Sequence, residues 1–296
     1  MRWSAIQLNN IREQYRDSMA TIEVYHWNTK NAAKKEYEAL CRYSEAISKK
    51  PEYGNLPKSM HNMTFKDAVT GKDIFYYQKE LTVAECKEIT FLHKNKQYQW
   101  LLTEAYEEFE DYLVNLYAYC GTHNNKVWPQ KDYENLPPVN MSNNNFERHL
   151  DFIKNKKKHK IPHEVLNRFR SVFNELGSIE TNNKLQVNIA LAFALIEKLR
   201  HHIVHKSGRI NDAEVFIKEV SEKVGLYNNG NVAAENLNLI KACMGINRFE
   251  NHIILLEFNP DKDFPFTEYS MFKVLKGILM AYAWLLFKFA GNCTAK

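Results

Sequence analysis

Helix breakers are scarce in this chain. Its 296 residues hold 10 glycines and 8 prolines, too few for the many tight turns of a β-sandwich or barrel. Long stretches remain in which a helix meets nothing to stop it. The length suffices to bury a sizeable core, and 45% apolar against 25% charged residues is the balance of an ordinary globular protein. The expected fold class is therefore all-α: a helical bundle with an N-terminal helical extension and one short strand pair.

Hydrophobic spacing gives the order of elements. Ile11, Tyr15, Met19 and Ile22 recur at three- and four-residue steps and predict helix from 6 to about 47, broken near His26-Trp27-Asn28 and ended by Pro51, Gly54 and Pro57. Thr70-Gly71-Lys72-Asp73 is a turn signal, with a short strand over 74–77. The clearest amphipathic helix covers 98–120: Leu102, Tyr106, Phe109, Leu113, Leu116, Tyr117 and Cys120 form its stripe, and Gly121 is its expected stop. A long loop over 123–145 follows. Further helices are predicted over 164–176, 185–204, 212–224, 233–244 and 271–291, and 252–258 is the best strand candidate. Residues 1–80 read as the helical extension and 81–296 as the bundle domain.

The net charge of +5 is mild but uneven. The densest basic run is KNKKKHK over 154–160, centred on Lys156, Lys157 and Lys158. Such runs are usually solvated loops or helix ends, and this one also suits a polyanion such as RNA. Five scattered cysteines with no Cys-x-x-Cys pair predict reduced thiols in the cytoplasm and argue against a disulfide framework or a cysteine zinc site. The N-terminus lacks the apolar core of a signal peptide. Segment 271–291 has the length of a membrane span, but Lys273, Lys276 and Lys288 interrupt it, so a buried core helix is expected and no membrane partner.

Ionisable chemistry concentrates where the apolar helix over 185–204 ends. Glu197-Lys198-Leu199-Arg200-His201-His202-Ile203-Val204-His205-Lys206-Ser207-Gly208 places a guanidinium, three imidazoles and a carboxylate within nine residues. On a helix, Glu197 lies at i,i+3 from Arg200 and at i,i+4 from His201, so these three share an edge. His201 and His205 are also i,i+4. Arg200 and His205 are i,i+5, about 140° apart at 100° per residue. They meet on one substrate only if the helix unwinds near Gly208 or a second copy of the motif supplies the partner.

The segment resembles the signature of the HEPN superfamily: Arg, four to six residues, then His, at the end of a helix in an all-α bundle, usually with a polar residue after the Arg. Arg200-His201-His202-Ile203-Val204-His205 satisfies each element, with His201 as the polar follower. Glu197 before the Arg and Val204-His205-Lys206-Ser207-Gly208 after it are also familiar there. Of the ten arginines only Arg200 has a His five to seven positions on. The resemblance covers about 95–290 and leaves 1–80 unexplained, and Lys206-Ser207 stands where relatives often have Asn. It implies metal-independent RNA cleavage, in which a ribose 2′-OH attacks the adjacent phosphate. No cofactor is implied. A homodimer would bring two motifs into one cleft, and a regulatory or antitoxin partner would fit a toxin or defence effector. In this reading Arg200, His205 and His201 are catalytic, Glu197 supports Arg200, and Lys156, Lys157, Lys158, His202 and Lys206 contact RNA. Imidazoles suit acid–base work near neutrality and a guanidinium suits charge on phosphate oxygens.

Plainer readings stand beside it. Glu197 with Arg200 is an ordinary intrahelical ion pair, and cations in a last turn oppose the helix dipole without any function. His201 and His205 also have zinc-ligand spacing, with Glu197 or a distant His as a third ligand. The same groups would serve a non-catalytic module that binds RNA, nucleotide or protein. Tyr76, Tyr77 and Trp128 have rings that can stack on bases, yet at 13% aromatic residues packing is their default role.

Overall fold

The computed structural model describes residues 2–53, 56–123, 126–128, 146–155, 161–227, 231–257 and 269–294. About 70% of the structure is helical. In chain order the elements are α1 Arg2–Ser48, β1 Ser59–Lys66, β2 Asp73–Leu81, α2 Val83–His123, α3 Phe146–Asn155, α4 Ile161–Val172, α5 Leu176–Thr181, α6 Ile189–His205, α7 Ala213–Glu222, α8 Ala234–Lys241 and α9 Met271–Gly291. Among the described residues the protein is mainly α with one antiparallel strand pair, as the scarcity of breakers predicts.

Two compact units emerge: residues 1–24 with 99–296, and residues 25–98. These divisions fall inside α1 and α2, whereas the sequence places its division between 80 and 81. In the larger unit the apolar stripes converge as spacing predicts. Leu102, Phe109, Leu113 and Leu116 of α2, Leu195 and Leu199 of α6, and Leu275, Leu279 and Leu286 of α9 are buried with Ile11 and Tyr15 of α1. The Phe109 ring lies 5.7 Å from Tyr282 and 5.4 Å from Phe193, and the Tyr112 hydroxyl donates to the Ala283 carbonyl at 2.9 Å. By length and composition α9 is apolar enough to cross a membrane. Its buried positions, Phe272, Leu275, Ile278, Leu279, Tyr282 and Leu286, follow the three- and four-residue steps of a helix packed on one side.

The smaller unit is built differently. His26 is buried against Tyr98, their rings 4.7 Å apart, and the Lys87 and Lys58 ammonium groups lie over the Tyr37 and Tyr43 rings. Between the helical segments stands the β1–β2 hairpin. Asp67 shapes its turn by accepting from the Val69 amide at 3.0 Å and the Thr70 hydroxyl at 2.5 Å, while Gly71 takes a left-handed φ of 68°.

Several expectations are corrected. α1 runs unbroken through His26-Trp27-Asn28: the span holds no Gly or Pro, and Asn costs a helix only a few tenths of a kcal/mol. α2 begins at Val83, where a capping box starts it. The Glu85 carboxylate accepts from the Thr82 amide at 2.8 Å, and the Thr82 hydroxyl accepts from the Glu85 amide at 3.3 Å. Gly121 does not stop α2 but lies within it. A Cβ there would meet the Trp128 indole nitrogen at 2.2 Å, so Gly121 makes room for Trp128. The helix predicted over 164–176 ends at Val172, and Gly177 sits inside the short α5. The strand candidate over 252–258 forms only isolated bridges, Arg209 to His252 and Met244 to Ile253; Ile253 to Leu256 are buried as side chains instead. Most of the loop over 123–145, and Lys156, Lys157 and Lys158, lie outside the described residues.

Candidate functional site at the end of α6

α6 is a buried apolar helix whose last two turns become polar. Asn188 caps its start, the side chain accepting from the Leu191 amide at 2.9 Å, and residues 191–196 are all buried. The helix remains regular through His205. Beyond it Ser207 and Gly208 both take left-handed φ, 55° and 73°, and the His202 carbonyl accepts from both the Lys206 and Gly208 amides at 2.9 Å. Gly208 has a second constraint: a Cβ would meet the buried Gln99 amide at 2.5 Å, and that amide donates to the Ile253 carbonyl at 2.7 Å.

This ending divides the histidines. His202 points inward and is 4% exposed. Its Nδ1 donates to the Arg209 carbonyl at 2.8 Å and its ring stands edge-on to Phe216 at 5.1 Å. Burial holds its pKa below 6.5 despite the Arg209 carbonyl, so it is a neutral packing histidine and not the RNA contact expected. His201 and His205 face outward and are exposed, with ring centroids 4.8 Å apart. The pKa of His201 is lowered from 6.5 by partial desolvation, then by the positive neighbours His205, Lys198, Lys206 and Arg200. A neutral imidazole thus sits amid cations on open surface.

Glu197 does not support Arg200. Its Oε2 accepts from His163 Nε2 of α4, and its Oε1 pairs with Lys223 Nζ at 2.7 Å. Burial pushes the Glu197 carboxyl up, but the hydrogen bonds and charges of His163 and Lys223 outweigh it and hold the carboxyl below 4.5. Both oxygens are therefore occupied. Arg200 reaches across to α2 instead, where Nη2 donates to Glu107 Oε1 at 3.0 Å, while its Nε is buried with no partner among the described residues. The side chains of this ion pair are 32% and 54% exposed, so the pair contributes less than about 1 kcal/mol. It orients the guanidinium without locking it.

The sequence missed three members of this arrangement: Glu107, His163 and Lys223. Glu107 lies 93 residues from Arg200 and His163 lies 34 from Glu197, and no local spacing signals either contact. Among the described residues no three His, Cys, Asp or Glu side chains gather as a metal site. Glu197, one third ligand that spacing offered for a zinc on His201 and His205, is paired with His163 and Lys223. A cavity of about 370 Å³ in the larger unit is lined by Arg12, Tyr112 and Trp284 among others and contains none of the motif residues.

Because α6 stays helical through His205, unwinding does not bring Arg200 and His205 together within one chain. No protein-family model matches the chain, and no curated protein or solved structure matches it either.

Proposed function

We propose that this protein is an endoribonuclease of HEPN type that cleaves RNA without a metal, through attack of the ribose 2′-OH on the adjacent phosphate. The observation that carries the reading is the outward pair His201 and His205, 4.8 Å between rings, set among Lys198, Arg200 and Lys206. His201, held neutral by its surroundings, takes the 2′-OH proton as that oxygen bonds to phosphorus. The bond from phosphorus to the 5′-oxygen breaks, and His205 gives that oxygen a proton. A 2′,3′-cyclic phosphate and a 5′-OH remain. Arg200 leaves Glu107 for the phosphate oxygens, an exchange of one surface carboxylate for a better anion.

The motif lies on open surface with Arg200 and His205 about 140° apart around a regular helix. A homodimer that apposes two α6 ends completes the constellation, the Arg of one copy serving the histidines of the other. Lys206 beside it, and Lys156, Lys157 and Lys158, supply further phosphate contacts in this reading. A role as a toxin or defence effector, with a protein that restrains it, rests on family analogy.

A second reading, an RNA- or protein-binding module without catalysis, draws on Arg200 being paired with Glu107 and Glu197 being committed to His163 and Lys223. Incubation of the purified protein with mixed RNA in EDTA separates the two. Chelator-insensitive cleavage leaving cyclic phosphate ends is expected, reduced at least about a hundredfold in both Arg200→Ala and His205→Ala, with a dimer in light scattering. Cleavage abolished by EDTA would replace the mechanism with a metal-dependent one. RNA binding without cleavage under any condition would establish the second reading.

A further inference from the structure

The β1–β2 hairpin carries aromatic residues that stay exposed among the described residues. Among the described residues β1 and β2 pair only with each other, and every residue of β2 before Leu81 is exposed. Phe65 is 53% exposed, Tyr76 58% and Tyr77 57%. Trp128, by contrast, is buried and donates to the Tyr117 carbonyl. Packing explains Trp128 and leaves the tyrosines unexplained.

The register sorts the side chains. His61 pairs with Lys79, Met63 with Tyr77 and Phe65 with Ile74, and strand alternation puts these on one face. Between Met63 and Thr64 the ladder shifts: Thr64 pairs with Phe75, so Tyr76 is an extra, unpaired residue, a β-bulge. Its ring lies 6.1 Å from Phe65, which places Tyr76 on the same face as Tyr77. Three aromatic rings are thereby gathered on one side of a two-stranded ribbon.

Charge is sorted by the same register. Lys79 and His61 lie on the aromatic face, whose strand residues include no carboxylate, while the Glu85 carboxylate at the start of α2 lies within reach of the Lys79 charge. Asp73 and Glu80 are on the opposite face, where Asp73 pairs with Lys66 at 3.0 Å and Glu80 accepts from Gln78 at 3.0 Å. The unit around the hairpin, residues 25–98, has 13 Lys and Arg against 9 Asp and Glu, which gives it +4 of the chain's +5. Exposed rings that offer flat faces, flanked by cations, match the bases and backbone of a single strand.

We infer that this face of the hairpin, with Phe65, Tyr76 and Tyr77 as stacking platforms and Lys79 and His61 as phosphate contacts, binds single-stranded RNA. The choice of RNA rests on the ribonuclease reading above; the stacking surface does not. The hairpin holds its shape through backbone pairing and the Asp67 turn, so the rings can be changed without removing what folds it.

The test uses the full-length chain and a fluorescent 2′-O-methyl oligouridine, which binds but has no 2′-OH to attack. Affinity is expected to fall at least about tenfold in the double variant Tyr76→Ala, Tyr77→Ala, and to stay within about twofold in Tyr76→Phe, Tyr77→Phe, which keeps the rings. Phe75→Ala, on the opposite face and equally exposed, should change affinity less than about twofold. Lys79→Gln should lower the slope of log affinity against log salt by about 0.7. Equal losses in the Phe75 and double-tyrosine variants, or no binding by the unaltered protein, would overturn the inference. So would self-association that the double variant abolishes, which would make the face a contact between copies. Failure of cleavage in the mixed-RNA assay leaves this readout untouched, so the two readings fall separately.

Discussion

Two clusters of ionisable side chains in the larger unit have similar ingredients and opposite fates. Arg170, Glu180 and Tyr282 form a closed set. Glu180 is 2% exposed and accepts from Arg170 Nε at 2.7 Å and from the Tyr282 hydroxyl, and Arg170 also donates to Asn167 at 2.7 Å. Burial, then the Glu180 charge, pushes the Tyr282 phenol well up, which keeps it a neutral donor. The α6 end is mixed. Glu197 and His202 are engaged by neighbouring elements, while His201 and His205 have each other and solvent. Composition does not separate the two clusters. What separates them is how firmly each charge is held: groups that are unengaged, or held only by an exposed ion pair as Arg200 is by Glu107, remain available to a substrate.

That contrast can be broken from its buried side first. Glu180→Ala leaves the buried Tyr282 phenol and the half-buried Arg170 guanidinium without their shared carboxylate, so unfolding in urea should show a loss of about 2–3 kcal/mol. A loss under about 1 kcal/mol would mean that the closed set is no more structural than the open one. Gly208→Ala should cost about 1–3 kcal/mol, because a Cβ meets both the left-handed backbone and the Gln99 amide. Thermal melting measures it, and an unchanged midpoint would show that the α6 end is looser than its hydrogen bonds indicate. The smallest effect falls on Glu197→Gln, below about 1 kcal/mol at neutral pH, but it carries a pH signature. Since the folded carboxyl sits below its ordinary 4.5, its contribution is present above about pH 4.5 and is lost as pH falls through the lower folded value. The variant should therefore lose less stability than the parent on acidification below 4.5. Parallel stability curves would show that His163 and Lys223 contribute nothing to that carboxylate.

The sequence carried α6 and α9 well, because long apolar runs, the first ended by Gly208, leave one helical solution, although α6 starts at Ile189 and not at 185. It also carried Asp212 as the start of α7, where the side chain accepts from the Val215 amide at 3.0 Å. The start of α2 was missed although Thr82 and Glu85 stand at capping-box spacing, because the segment after them is too polar and basic for a clear stripe. Within the site, 100° steps reveal that His201 and His205 share a face and that His202 does not. They do not reveal which face is covered. That depends on Phe216 and the Arg209 carbonyl, which reach His202 only after α7 has folded back. The partners of Arg200 and Glu197 were illegible for the same reason: their nearest choices by spacing were each other, and tertiary contacts offered both something else.

The unpaired Tyr76 sets the parity of its strand. With it present, everything toward the turn is out of step with everything toward the helices, and Asp73 falls on the far side of the ribbon from Tyr77. A chain lacking that offset, with the same residues in strict alternation, would carry the Asp73 carboxylate among the aromatic rings and move Tyr76 away from them. Removal of Tyr76 itself leaves Thr64 opposite Phe75 and Met63 opposite Tyr77, now adjacent on both strands. A deletion, ordinarily the harshest change a ladder can suffer, is at this one position the change that keeps every other residue on its own side.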